Sequence, residues 1–347
     1  MPPSMPSGTL VRRHVGRSRL RRAAVVAIVL CALALLAWQL RSADPAAIRR
    51  LIVSASPAWL AAALALTLAR FGVSAWRLGS LTRRLIPCRR RAFVPITMTA
   101  QLVGLAIPGV RAGAAVVRAA LANRRFGGGV ALHLAPNLLD QLLVAVSWML
   151  VALALAPAVA AGRGSGSIRL PVLATVALVL LVTAVAALAR WAPRIEAWLG
   201  TRPPRRWTGA GRDALGGAGQ LAADRVALAI GLAGGLAFAV STGLAQHAAL
   251  LAVGAEVPWW IALLAVAVGG TAGTLTGAPG GVGVTEAAQI AVLAAHGVSD
   301  EQAAAAVLLA RGLHYAVILV GGSVAAAWEW GRGELEGVLD EAREAPS

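Results

Sequence analysis

Lysine is missing from this 347-residue chain; tyrosine occurs once, cysteine twice and phenylalanine four times, and only 14% of residues are charged. Each shortage closes a class. An average soluble domain is about a quarter charged, so this chain has too little polar surface to cover a water-soluble core of its size. Cys31 lies in the first apolar run and Cys88 in a basic loop, which gives neither a disulfide framework nor a metal-binding spacing. The histidines, His14, His133, His247, His296 and His314, form no His-Glu-x-x-His pair of the kind an intramembrane metalloprotease uses to hold zinc. No cofactor is expected.

What the chain has instead is apolar length. Hydrophobic residues make up 58% of it and the mean hydropathy is +0.73. Several runs of about 18 to 25 residues carry few or no charges, enough to cross about 30 Å of hydrocarbon at about 1.5 Å per helical residue. The expected fold class is all-α, a polytopic helical membrane bundle. Full spans are predicted at residues 23–40, 58–81, 130–159, 170–189, 226–253 and 303–327. The first is too long for a signal-peptide core, and Arg41, Ser42 and Ala43 lack a small-x-small cleavage pattern, so it is read as uncleaved. Residues 1–22 then form a basic cytoplasmic N-terminus, 23–327 the membrane domain and 328–347 an acidic cytoplasmic tail in the plasma membrane.

The formal charge of +17 is carried by arginine. Arg12, Arg13, Arg21, Arg22, Arg83, Arg84, Arg89, Arg90, Arg91, Arg205 and Arg206 cluster between the apolar runs, as cytoplasmic loops do. The partner implied is the anionic leaflet and its lipids. No nucleic acid is expected as a partner, since there is no basic-aromatic platform and no recognition module. Trp59, Trp191, Trp198, Trp259, Trp260, Trp328 and Trp330 fall near predicted span ends and read as interfacial anchors.

Two segments, residues 93–121 and 259–295, begin apolar, break at Pro108-Gly109 and at Pro279-Gly280, then resume. Proline removes a backbone donor, and lipid cannot satisfy the groups a break leaves open. If the first crossed fully, Arg124, Arg125 and the long loop with Arg194, Arg202, Arg205, Arg206 and Arg212 would face outwards, against the positive-inside tendency. A re-entrant hairpin keeps them inside. The same walk along the chain makes the second segment a hairpin that enters from the opposite face. That is the inverted arrangement of many secondary transporters. A shift of 171 residues carries Pro108 onto Pro279, Ala112 onto Gly283, Ala115 onto Glu286 and Asp140 onto Arg311, a trace of a repeat.

The stretch from Ala278 to Glu286, rich in glycine and opening a helix with an acid in its first turn, suits close backbone approach and an anion at the helix start. Its plainer reading is a tight turn with Glu286 complementing the helix dipole. Arg70, Arg77, Asp140 and Arg311 lie in or near apolar spans, where a charge costs at least about 2.5 to 3.5 kcal/mol at mid-helix. Arg70 and Arg77, two turns apart on one face, are able to grip a phosphate together, though Arg77 is equally placed to snorkel to the interface. Asp140 and Arg311 are expected either to pair or to touch substrate. Gln246 and His247 read as part of a polar pathway or as packed helix residues.

In these residues the chain resembles the flippase-like, lysylphosphatidylglycerol synthase transmembrane-region family. Pro279, Gly280, Gly281, Gly283 and Glu286 look like its C-terminal signature, followed by Arg311 and Tyr315; Arg70, Arg77, Pro108, Gly109, Gly113, Arg118 and Asp140 are similar in the first half. The chain departs where an acid usually precedes the first-half arginine, since Ala114 and Ala115 stand there. The resemblance implies the transmembrane part alone, without lysyl transfer. The function expected is therefore a flippase or transporter for an anionic or phosphate-bearing lipid or lipid-linked substrate, not an enzyme. The alternatives are a non-transporting subunit beside a lipid-modifying or glycosyl-transferring enzyme, and a membrane-embedded transferase, phosphatase or protease.

Overall fold

The computed structural model describes residues 44–106, 110–162, 186–187, 190–191, 194, 206–275 and 283–331. The runs at residues 23–40 and, all but two residues, 170–189 lie outside the described residues, as do the breaks at Pro108-Gly109 and Pro279 to Gly281. Every described element is helical: α1 Pro45–Val53, α2 Pro57–Thr82, a 3-10 turn Arg90–Ala92, α3 Phe93–Ala106, α4 Val110–Phe126, α5 Val130–Gly162, α6 Arg206–Ala223, α7 Arg225–Ala252, α8 Trp259–Leu275, α9 Val284–Ala294 and α10 Asp300–Gly331. The helices α2, α5, α7 and α10 contain stretches long and apolar enough to cross a membrane, matching four of the predicted spans.

Local sequence sets the helix ends. Asp44 caps α1, accepting from the Ala46 N–H at 2.9 Å, with Pro45 at the first position, where its missing donor is not needed. Asp224 caps α7 through the N–H groups of Val226 and Ala227 at 2.9 and 3.3 Å. Inside the helices, Ser147, Thr242 and Thr271 donate to carbonyls four residues back, at 2.6 to 2.8 Å. Such back-bonding satisfies a hydroxyl where no water reaches it.

The long helices α2 and α7 run antiparallel. At one end Arg84 meets Asp224 at 2.6 Å; at the other the Ser56 N–H donates to the Ala252 carbonyl at 2.9 Å. Against this pair sit two short-armed hairpins. In the first, Phe93 at the start of α3 stacks on Phe126 at the end of α4, centroids 5.8 Å apart, so the arms fold back on each other. In the second, Trp260 of α8 meets His296, just past α9, edge to face at 5.8 Å. The arms are about 16 to 25 Å long, too short to cross.

The open ends of the hairpins lie at opposite ends of the bundle. Phe93 packs with Ala75 and Leu78 near the C-terminal end of α2, whereas Ile261, Ile290 and Leu293 pack with Ala252, Val253 and Leu60 near its N-terminal end. The order long helix, hairpin, long helix thus occurs twice, in α2–α5 and α7–α10. Exposed Trp59, Trp259, Trp328 and Trp330 sit in terminal turns, as anchors should. The second arm of the first hairpin runs to Phe126, five residues beyond the predicted limit. The stretch around Arg206 and Arg212, expected as loop, is the helix α6.

Candidate functional site

Seven charged or imidazole side chains come together inside the bundle in two groups. The first lies near the Thr82 end. Arg77 of α2 is buried and donates through Nε and Nη2 to the two oxygens of Asp140 on α5, the second bond at 3.1 Å, while Nη1 donates to the Gly234 carbonyl of α7 at 3.1 Å. Its guanidinium lies 5.7 Å from the Phe238 ring centroid. The space is made by Gly234, where an added Cβ would stand 2.8 Å from Arg77 Cδ. Arg118, from the second arm of the first hairpin, is 5% exposed, lies within electrostatic reach of Asp140 and Arg77, and leaves its Nε without a hydrogen-bond partner.

The second group lies near mid-depth. Arg70, about 18 Å along α2 from Thr82, donates from Nη2 to His314 Nδ1 of α10. Phe71 stacks on the same imidazole, centroids 5.4 Å apart and planes 2° off parallel. One turn earlier on α10, Arg311 donates from Nε to Glu286 of α9, and its guanidinium lies 5.8 Å from the Tyr315 ring. Glu286 also accepts from the Gly283 N–H at 2.7 Å. Gly283 has φ +85°, a left-handed conformation that favours glycine.

These partners correct several expectations. Asp140 and Arg311 do not pair with each other: each is engaged by a closer partner, Arg77 and Glu286 respectively. Arg77 does not snorkel, since its side chain is 2% exposed. Nor do Arg70 and Arg77 converge on one phosphate position, because every guanidinium nitrogen of Arg77 is already hydrogen bonded within the bundle. The helix-start amide at Gly283 is taken by Glu286, so it is not open to an anionic head group. Gly113 is half-buried in α4, while Pro108, Gly109, Pro279, Gly280 and Gly281 lie outside the described residues.

Three participants had escaped attention. His314 was visible only as a polar residue between Arg311 and Tyr315 in an apolar span. Gly234 had no signal beyond its place in a glycine-rich helix. Glu329, fully buried in the last turn of α10, meets Arg125 of the first hairpin at 3.1 Å, and it stood in the sequence among tryptophans that read as interfacial.

Long apolar helices, two hairpins entering from opposite ends, and buried arginines held by carboxylates define an integral membrane protein of the helical-bundle class. The profile of the Lysylphosphatidylglycerol synthase TM region family matches residues 23–322, and the chain belongs to that family. A search of curated proteins finds no match.

Proposed function

We propose that this protein moves a lipid or lipid-linked substrate with an anionic or phosphate-bearing head group across the plasma membrane, acting as a flippase or transporter without catalysing a reaction. The observation that carries the reading is the charge balance inside the bundle. Among the described residues, Arg77 and Arg118 share the single carboxylate Asp140, Arg311 bonds Glu286, and Arg70 bonds His314 rather than a carboxylate. An uncompensated cation at this depth is costly, and a phosphate, which arginine grips through charge-assisted bonds, removes that cost. Arg118, with a buried donor unused, is the side chain with most to gain.

The test is movement of a fluorescent phosphatidylglycerol across vesicles that contain the full chain. The parent should outpace protein-free vesicles, and Arg118→Gln should slow it about 10- to 100-fold, as expected for the loss of a charge-assisted bond of about 1.5 to 3 kcal/mol. Thermal stability should not fall, since the variant removes a buried cation whose Nε makes no hydrogen bond and leaves Asp140 with its direct partner Arg77. A second reading, a non-transporting subunit of a lipid or glycan pathway, draws on Ala114 and Ala115 at the position where the resemblance has an acid. Movement in the parent no faster than without protein would favour it.

A further inference from the structure

We infer that His314 is a proton-binding site and that anion binding beside Arg70 is coupled to proton uptake on its imidazole, so that the substrate travels with a proton. The inference rests on the transport reading above and adds the coupling ion to it. A guanidinium carries only donors. Arg70 Nη2 therefore requires the lone pair of His314 Nδ1, which leaves the ring neutral with its one proton on Nε2. A proton arriving at Nδ1 turns acceptor into donor, and the Arg70–His314 bond is lost.

The surroundings decide when that is tolerable. From α2 the imidazole faces Arg70 and the uncharged Phe71. From its own helix it has Arg311 one turn before and the Tyr315 ring 5.4 Å away, and the α9 carboxylate, Glu286, is engaged by Arg311. The α3 arm, which packs on α10 through Met98 and Leu102, has no ionisable residue, and those of α7, Arg225 and His247, lie towards its two ends. An imidazolium would thus sit between two cations whose local carboxylate is already spoken for. An anion placed there reverses the situation: Arg70 turns to it, Nδ1 is released, and Nδ1–H donates to an anion oxygen. The proton comes from water on the side the anion entered and returns to water when the anion leaves. Because linkage is reciprocal, protonation of His314 must in turn strengthen anion binding.

Two arginines near mid-depth would otherwise hold a phosphate too tightly to release it. A proton that leaves His314 on the far side restores the Arg70–His314 bond and expels the anion. The cation that binds the substrate is thereby reset by a neighbour on the facing helix.

The experiment uses the full chain in vesicles of phosphatidylcholine and phosphatidylglycerol, with the membrane potential clamped. Distribution of the fluorescent phosphatidylglycerol is followed while a pH difference is imposed, and a trapped dye reports proton entry. With one proton per lipid, each pH unit should shift the steady-state distribution of the probe about tenfold, and His314→Gln, which keeps an acceptor for Arg70 but takes no proton, should abolish the shift. Inorganic phosphate supplied instead of the probe separates a lipid head group from free phosphate as cargo. Movement in the parent without pH response or proton entry overturns the coupling and leaves the transport reading intact; absence of movement overturns both. A pH response that survives in His314→Gln removes the assignment to this residue. Should that variant not fold, dihexanoyl-phosphatidylglycerol added to the parent in weakly buffered detergent should draw in about one proton per lipid bound, and binding without uptake rejects the proposal.

Discussion

Asp140 is the residue on which the Thr82-end group depends, since Arg77 binds it directly and Arg118 lies in its field. Asp140→Ala leaves two buried cations facing each other and should cost about 3 to 5 kcal/mol, read as a lower thermal transition in detergent. Combining Arg77→Met with Asp140→Leu replaces the pair by apolar groups and should recover part of the loss, whereas exchanging Asp140→Arg with Arg311→Asp should recover none. Equal stability of single and double variants would show that the pair contributes nothing. Glu286→Gln should be milder, because its partner Arg311 is 21% exposed against 2% for Arg77 and water can screen it. That Arg77, Asp140 and Arg311 lie in or near apolar spans, and that Arg70 and Arg77 share one face of α2, was legible from the sequence and its spacing. Who pairs with whom was not: Arg77 and Asp140 are 63 residues apart, and only the docking of three helices decides the partner. The shift of 171 residues that aligns Asp140 with Arg311 describes equivalent positions, and equivalent positions need not touch.

At the scale of elements, the hairpins were readable because proline, glycine and loop arginines all pointed the same way. The helix α6 was not, because glycines at 209, 211, 216, 217 and 219 argue against a helix by propensity. In the structure those small residues allow close approach: a Cβ on Gly217 would stand 2.9 Å from that of Ala135 on α5, so burial against α5 overrides propensity. Between α6 and α7, Asp224 caps the latter and holds Arg84 at 2.6 Å. Desolvation works against its charge, but the Arg84 bond, the N–H groups of Val226 and Ala227 and the Arg84 charge outweigh it and hold the carboxyl below its ordinary value of 3.8. A depressed value in the fold means stability present above that pH and lost as pH falls through the lower one. With Arg84 42% exposed, the ion pair adds little, and the cap carries the effect. Asp224→Ala should therefore cost about 0.5 to 2 kcal/mol at pH 7, and the difference from the parent should shrink as the pH drops below the carboxylate range. A gap that stays constant down to pH 3 would place the effect elsewhere.

For the molecule as a whole, charge is divided between the two ends. Arg83, Arg84, Arg89, Arg90, Arg91, Arg124 and Arg125 gather at the end where the first hairpin opens, while Glu256, Asp300 and Glu301 mark the other, with Arg49 and Arg50 as its described basic residues. The positive-inside tendency leads to the expectation that the first end faces the cytoplasm, and with the hairpins opening at opposite ends the second is then expected to be reached from outside. The native thiol is a poor reporter of this, since burial pushes the Cys88 thiol up, with the charges of Arg83 and Arg90 only partly opposing, and a protonated thiol reacts slowly. With Cys31 and Cys88 replaced by serine, single cysteines at Arg124 and Glu256 in intact cells should behave oppositely towards an impermeant maleimide: Glu256→Cys labelled from outside, Arg124→Cys only after the membrane is opened. Both positions lie in or beside hairpin bases, so a chain whose broken segments crossed fully would present them differently. External labelling of Arg124→Cys would reject the opposed-hairpin topology, and with it the path from Arg118, inside the end expected to face the cytoplasm, to Arg70 near mid-depth that the transport reading needs.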